Sequence, residues 1–151
     1  MRIAILSDTH GLLRPEVKTL LADADFILHA GDVGKPEIHD ELSSIAPMYA
    51  VRGNVDRDPW FYRHTPKTHA IKLGEVWFYL LHNLEELDLK PEEGGFDVII
   101  SGHTHIPKAE KRGGVLFLNP GSIGPKRFNL PISMAWLTIE GKKIQHKFVV
   151  F

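Results

Sequence analysis

The segment Ser101-Gly102-His103-Thr104-His105 places two imidazoles either side of one threonine, directly after the apolar run Val98-Ile99-Ile100. Four other apolar runs end in a similar way. Ile3 to Leu6 leads into Ser7-Asp8-Thr9-His10, and Phe26 to Ala30 into Gly31-Asp32. Tyr49 to Arg52 leads into Gly53-Asn54, with Asp56 close behind, and Val76 to Leu81 leads into His82. Carboxylate oxygen, amide oxygen and imidazole nitrogen without sulfur form the donor mixture that hard and borderline divalent metals take. Asp8, His10, Asp32, Asn54, His82, His103 and His105 are too many for one tetrahedral zinc. They suit two ions, about 3.5–4 Å apart, that share a carboxylate and clamp a displacement at phosphorus. In an extended segment, residues i and i+2 project to one side, so Asp8 and His10 can reach a single ion. His103 and His105 share that spacing, but in a loop they can also diverge to different ions. Singly, each residue has a plainer role. Asp and Asn cap turns and helices, glycine opens turns, and a histidine at a strand end is commonly a hydrogen-bonded structural residue. Turn chemistry needs no histidines, so the conjunction is what points to metal.

These donors meet only if the elements bring five strand ends together. Ile3 to Leu6, Phe26 to Leu28 and Met48 to Val51 read as short buried strands. Between them lie helical patterns, one starting at Pro15 with Val17, Leu20, Leu21 and Ala24 on its face, the other over Pro36 to Ile45. This β-α-β-α-β order predicts parallel strands joined by right-handed crossovers. Hairpins follow around Gly74-Glu75, Gly113-Gly114 and Glu140-Gly141, with Phe96 to Ile100 as a further buried run and one helix over 84–91. The second half is therefore expected to be mainly antiparallel. With 151 residues and no linker or repeat, the chain is expected to form one domain over 1–151, a mixed α/β sandwich with two sheets face to face and helices outside. Sites in open α/β sheets form beyond the carboxyl ends of strands, where all five donor clusters stand.

Composition narrows the function. A net charge of −1 leaves no electrostatic footprint for nucleic acid or an acidic membrane. The absence of cysteine removes disulfides, thiolate metal sites and a cysteine nucleophile. The apolar run at the N-terminus is too short for a signal peptide, and no segment approaches the ~20 apolar residues that cross a bilayer. A cytoplasmic enzyme or binding protein, with no nucleic-acid or membrane partner, is the expectation.

"SDTHG", "HAGDVG", "VRGNVD", "LH" and "SGHTHIP" resemble, in order, the successive motifs of the calcineurin-like metallophosphoesterase superfamily, and "NPGSIGPKR" at 119–127 resembles the closing motif of its small bacterial and archaeal phosphodiesterase branch. The resemblance implies a four-layer α/β/β/α sandwich. It implies that Asp8, His10 and His105 bind one metal, that Asp32 bridges to a second, and that Asn54, His82 and His103 complete the ligand set of that second metal. Two divalent ions are implied, manganese foremost, with iron, nickel or zinc as alternatives. The implied reaction is hydrolysis of a small phosphodiester by direct attack of a metal-bridging hydroxide, with Asp32, Asn54 and Asp56 in catalytic positions and Asn54 also touching substrate. A different class of function on the same fold is an interaction scaffold of the kind a retromer subunit represents; such a scaffold can lose ligands, whereas this chain keeps all seven.

Two positions depart from the family pattern. Val55 stands where many members carry a histidine that protonates the leaving group. Asn83-Leu84 stands in "HNL" where "HGH" is common: Asn83 is expected to take the glycine's left-handed backbone, and Leu84 to narrow or dry the substrate mouth. Asp56 either hydrogen-bonds a ligand histidine or caps a turn. Arg127, beside Lys126, either holds a substrate phosphate or is solvated surface. Trp60, Phe61 and Tyr62 are local core or a subunit contact in a homo-oligomer, or flank a substrate ring. His29, His39, His64, His69 and His146 read as ordinary surface or core residues.

Overall fold

Alternation inside the apolar runs decides the layering. Along β1 (Arg2–Leu6), Ile3 and Ile5 enter one hydrophobic cluster while Ala4 and Leu6 enter another, and all four are fully buried. A strand buried on both faces must lie between two layers. The computed structural model describes residues 1–151 and shows those layers. After β1 come α1 (Pro15–Leu21), β2 (Phe26–His29), α2 (Pro36–Ile45), β3 (Met48–Ala50), α3 (Pro59–His64), β4 (Thr68–Leu73) and β5 (Val76–Leu81). A 3₁₀ turn at Leu84–Glu86 and α4 (Pro91–Gly94) lead to β6 (Val98–Ile100), β7 (Lys108–Arg112), β8 (Val115–Asn119), β9 (Ser133–Glu140) and β10 (Lys143–Val150).

The strands form two five-stranded sheets, in the orders β10-β9-β1-β2-β3 and β4-β5-β6-β8-β7. Ile3, Ile5 and Leu28 of the first sheet meet Phe78, Leu80, Val98 and Ile100 of the second in the core between them. On the first sheet's outer face, Ala4, Leu6 and Ile27 pack under Val17 and Leu21 of α1, Ile38 and Leu42 of α2, and Phe61 of α3. On the second sheet's outer face, Tyr79, Leu81, Ile99 and Val115 are covered by Leu84, Leu87, Leu89 and Phe96. The result is the expected α/β/β/α sandwich with a thin fourth layer. Each fully buried Leu, Ile or Phe contributes about 1.5–3 kcal/mol, so the strand ends rest on a stiff base. No helix is long and apolar enough to cross a membrane.

The second half of the chain pairs mainly antiparallel, as expected, through β4-β5, β7-β8 and β9-β10. The centre of the second sheet is an addition to that expectation: β5 pairs parallel with β6 and β6 with β8. One expectation needs correction. The helix over 84–91 does not form. Pro91 steers Lys90 away from helical backbone (φ −98°, ψ 107°), so a 3₁₀ turn and a four-residue helix flank an extended link. Conversely, α3 forms at Pro59–His64, with the Asp58 carboxylate accepting the Trp60 N–H at 2.9 Å. Six residues are too few for its period to show in sequence.

Candidate metal centre

Six strands run parallel to a neighbour, β1, β2 and β3 in one sheet and β5, β6 and β8 in the other, and the residues past their carboxyl ends meet at one rim. Backbone bonds stitch these loops together. Asp8 N–H donates to the Gly31 carbonyl and His10 N–H to the Asp32 carbonyl, both at 2.9 Å. Gly102 N–H donates to the His82 carbonyl at 2.9 Å, and Ile123 N–H to the Ser7 carbonyl at 3.1 Å. Six residues other than glycine have left-handed backbone, and five of them are Asp8, His10, Asp32, His103 and His105 (φ 46–71°). Asp and His are among the side chains that tolerate this region best. Gly102 permits the closest approach: a β-carbon there would collide with the Ser7 hydroxyl and crowd an Asp8 carboxylate oxygen.

Each acidic donor has one oxygen anchored and one bare. Asp8 Oδ2 accepts the Ser7 hydroxyl at 2.6 Å and the His103 N–H at 3.2 Å, while Oδ1 is buried without a hydrogen-bond partner. That bare oxygen lies 3.2 Å from His105 Nε2, 3.5 Å from His10 Nε2 and 3.9 Å from His82 Nε2. Asp32 Oδ1 accepts the Val55 N–H at 3.0 Å, and its Oδ2 lies 3.1 Å from His82 Nε2 and 3.6 Å from His10 Nε2. His82 Nδ1 meets the Ala30 carbonyl at 2.8 Å. A carbonyl only accepts, so Nδ1 carries the proton and the neutral ring aims the Nε2 lone pair at two carboxylates.

Those lone pairs and anions repel unless a cation stands between them. His10 Nε2 and His82 Nε2 are buried without partners, as Asp8 Oδ1 is. Burial works against ionisation of Asp8, but the neighbouring His10 and His105 imidazoles, any charge on His82 and the Ser7 hydroxyl outweigh it and hold the carboxyl far below its usual range. Asp32 is lowered against the same burial by His82 and the Val55 N–H. Burial opposes a charge on His82, yet Asp32 and Asp8 raise it. The same constellation draws a proton or a metal, and the donor set fits a divalent ion. Two compact groups are within reach of an ion, Asp8-His10-His105 and Asp8-Asp32-His82. Asp8 is common to both, and Asp32 also reaches His10.

Asn54 and His103 stand on the exposed side and line a cavity of about 600 Å³ that opens at His82. The His82 and His103 rings lie 5.2 Å apart, and those of His10 and His105 5.3 Å. Asp56 is buried, and its carboxylate accepts the N–H groups of Gly53 (2.9 Å), Gly34 (2.9 Å) and Val33 (3.2 Å). It bonds no histidine; it ties the Asn54 loop to the Asp32 loop. Arg127 is exposed and does not line the cavity, whereas Arg52, Arg57 and Lys67 do. Asn83 is not left-handed (φ −113°): its amide oxygen accepts the Glu85 N–H and caps the 3₁₀ turn. Leu84 packs on the second sheet's outer face instead of narrowing the mouth. The aromatic trio divides, with Phe61 in the core and Tyr62 62% exposed on the cavity wall.

Several supporting residues went unassigned in sequence. The Asn119 amide donates to the Gly102 carbonyl and the Thr104 hydroxyl, and Ser122 donates to the Asp8 carbonyl, so the closing motif braces two ligand loops. His29 is fully buried beneath the centre. Its Nδ1 accepts the Gly31 N–H at 3.1 Å and its Nε2 meets the Thr9 hydroxyl at 3.1 Å, which donates on to the Val33 carbonyl. Only the distance along the chain from Asp32 hinted at this.

Burial lowers His29 to about 3 from the ordinary 6.5. Between those values the unfolded chain binds a proton that the native state refuses. Stability present above pH 6.5 is therefore lost as pH falls, by about 1 kcal/mol per unit. Urea unfolding of the metal-free protein at pH 6.5, 5.5 and 4.5 is expected to show this slope, with His29→Gln flattening most of it. A slope that His29→Gln leaves unchanged would assign it elsewhere.

The family model described as calcineurin-like phosphoesterase superfamily domain matches residues 1–142. A probable metallophosphoesterase of Methanothermobacter thermautotrophicus is 35% identical, covering 99% of this chain and 92% of that protein. The phosphodiesterase YfcE of Escherichia coli is 30% identical over 91% of this chain and 87% of its own. Among solved structures, an archaeal phosphodiesterase superposes with a TM-score of 0.83 at 24% identity, covering all of both chains. Vacuolar protein sorting 29 of Cryptosporidium parvum superposes with a TM-score of 0.79 at 21% identity, covering 99% and 97%. At those identities the two structures are likenesses of fold.

Proposed function

Because the chain belongs to the calcineurin-like phosphoesterase superfamily, we propose that it is a phosphodiesterase that works through two divalent ions, manganese foremost. The observation that carries this reading is the set of buried, partnerless atoms, Asp8 Oδ1, His10 Nε2 and His82 Nε2, turned toward one another. Asp8, His10 and His105 would hold one ion, with Asp32 bridging, and Asn54, His82 and His103 the other. When bound, the pair would supply a hydroxide nucleophile at neutral pH and positive charge opposite the reacting phosphorus. The chain's own part is positional. Ser7, the His103 N–H and the Val55 N–H fix one oxygen of each carboxylate and so aim the other. The Ala30 carbonyl fixes the His82 tautomer. The alternative, an interaction scaffold on this fold, has no need of a bare buried carboxylate oxygen.

Val55 has no proton to give a leaving group, and general acids contribute ~10²–10⁴ in rate. Nitrophenyl diesters are therefore expected to turn over at least ~10² faster than dialkyl esters of the same size; equal rates would mean that another group serves as acid.

The reading is tested by metal analysis beside a chromogenic diester assay in manganese. The saturated protein is expected to hold two ions, His103→Ala to lose the one at His82, and His105→Ala the one at His10, each with loss of hydrolysis. One ion or fewer at saturation without hydrolysis would favour the scaffold, and hydrolysis that survives both substitutions would overturn the site.

A further inference from the structure

The cavity beyond His82 has a chemistry of its own. Its cationic side chains are Arg52, Arg57 and Lys67, against the carboxylates Glu86 and Asp88, an excess of one positive charge. Lys67 is engaged by Glu86 at 3.4 Å. Neither guanidinium has a carboxylate partner. Arg52 donates from Nη1 to the Thr65 carbonyl at 2.7 Å and lies 4.2 Å over the Tyr62 ring, so it is held in place with most of its N–H groups free. Arg57 donates from Nε to the Asn54 carbonyl at 3.4 Å, which sets its charge beside the outermost donor of the centre.

Preorganised guanidiniums with free N–H groups select planar or tetrahedral oxyanions. A diester's own single charge faces the metal site, and a cavity of about 600 Å³ is larger than one phosphate needs. We infer that Arg52 and Arg57 form a subsite for a second anionic group, a phosphate or carboxylate carried on one arm of the substrate. The natural substrate is then a phosphodiester with at least one further negative charge. This rests on the phosphodiesterase reading and names the substrate class that reading leaves open.

The test uses three p-nitrophenyl diesters of the manganese-loaded protein's full chain, with the second alcohol propanol, a four-carbon hydroxy acid, or 3-hydroxypropyl phosphate. Wild type is expected to favour one or both charged esters by about tenfold in kcat/KM, mainly through KM. Whichever charged ester leads tells phosphate from carboxylate. Arg52→Gln and Arg57→Gln should each remove most of that preference, and Lys142→Gln, at a distant turn, should keep it. Wild type treating all three esters alike, or both arginine variants slowing all three by one factor, would overturn the subsite; the latter result places the guanidiniums on the scissile phosphate. If no ester is turned over, the phosphodiesterase reading fails separately, and calorimetry decides the subsite. 1,3-Propanediol bisphosphate should bind wild type at least about tenfold more tightly than propyl phosphate, and Arg57→Gln should lose the difference. Equal affinities in wild type overturn the inference.

Discussion

Asp32→Asn is expected to reduce diester hydrolysis by ~10³-fold or more while the chain stays folded. The asparagine oxygen can still accept the Val55 N–H that Asp32 Oδ1 accepts at 3.0 Å, so the loop keeps its anchor. What vanishes is the anionic Oδ2 that stands within 3.6 Å of both His10 and His82. A neutral amide oxygen is a poorer metal ligand than a carboxylate, so on the two-ion proposal the second ion should leave with the charge. Part of the loss is compensated in the metal-free protein, because Asp8 and Asp32 repel each other. Its unfolding temperature should therefore move little. Assay, metal content and thermal unfolding in chelator separate these effects. Hydrolysis within tenfold of wild type would remove Asp32 from the machinery.

The second large effect is stabilisation by metal. A buried group without a partner costs about 1–3 kcal/mol, and the metal-free centre carries three such atoms. An ion that satisfies them binds the native state and not the unfolded chain. Manganese at about 100 times its dissociation constant should add ~2.7 kcal/mol, a rise of roughly 5–10 °C for a chain of this length. A chelator should reverse the shift and abolish hydrolysis, with recovery on adding metal. Affinity should fall in acid, because each ligand histidine must be neutral to bind. An unfolding temperature that ignores both metal and chelator would mean that the cluster is satisfied by other means.

The residues that meet at the rim were readable in sequence because they follow buried strands, and strand ends carry a sharp boundary between apolar and polar residues. The first sheet was readable for the same reason: β1, β2 and β3 alternate with helices long enough to show a period. In the second sheet, the pairing at the centre was not readable. Its hairpins announce antiparallel pairs locally, but the pairing of β5 with β6 and of β6 with β8 joins segments far apart in the chain, and no local pattern encodes it. The cavity's chemistry was missed on similar grounds. Arg52, Arg57 and Lys67 come to share one cavity with Tyr79 and Leu81 of β5 only in the folded chain, whereas Arg127 attracted notice by standing in a motif. Asn83 shows the limit of reasoning by residue type: a side chain able to adopt left-handed backbone instead used its amide to cap a turn.

The left-handed backbone at Asp8, His10, Asp32, His103 and His105 bears on how this protein can evolve. Glycine at any of these positions would relieve strain on the order of 1 kcal/mol and delete a donor. Net stabilities of proteins are only about 5–15 kcal/mol. At His10, His103 and His105 a lineage released from metal chemistry would thus find glycine a downhill substitution, whereas at Asp8 and Asp32 glycine would also lose the bonds to Ser7, the His103 N–H and the Val55 N–H. A chain that holds all five strained positions with Asp and His keeps polar side chains there at a cost in stability.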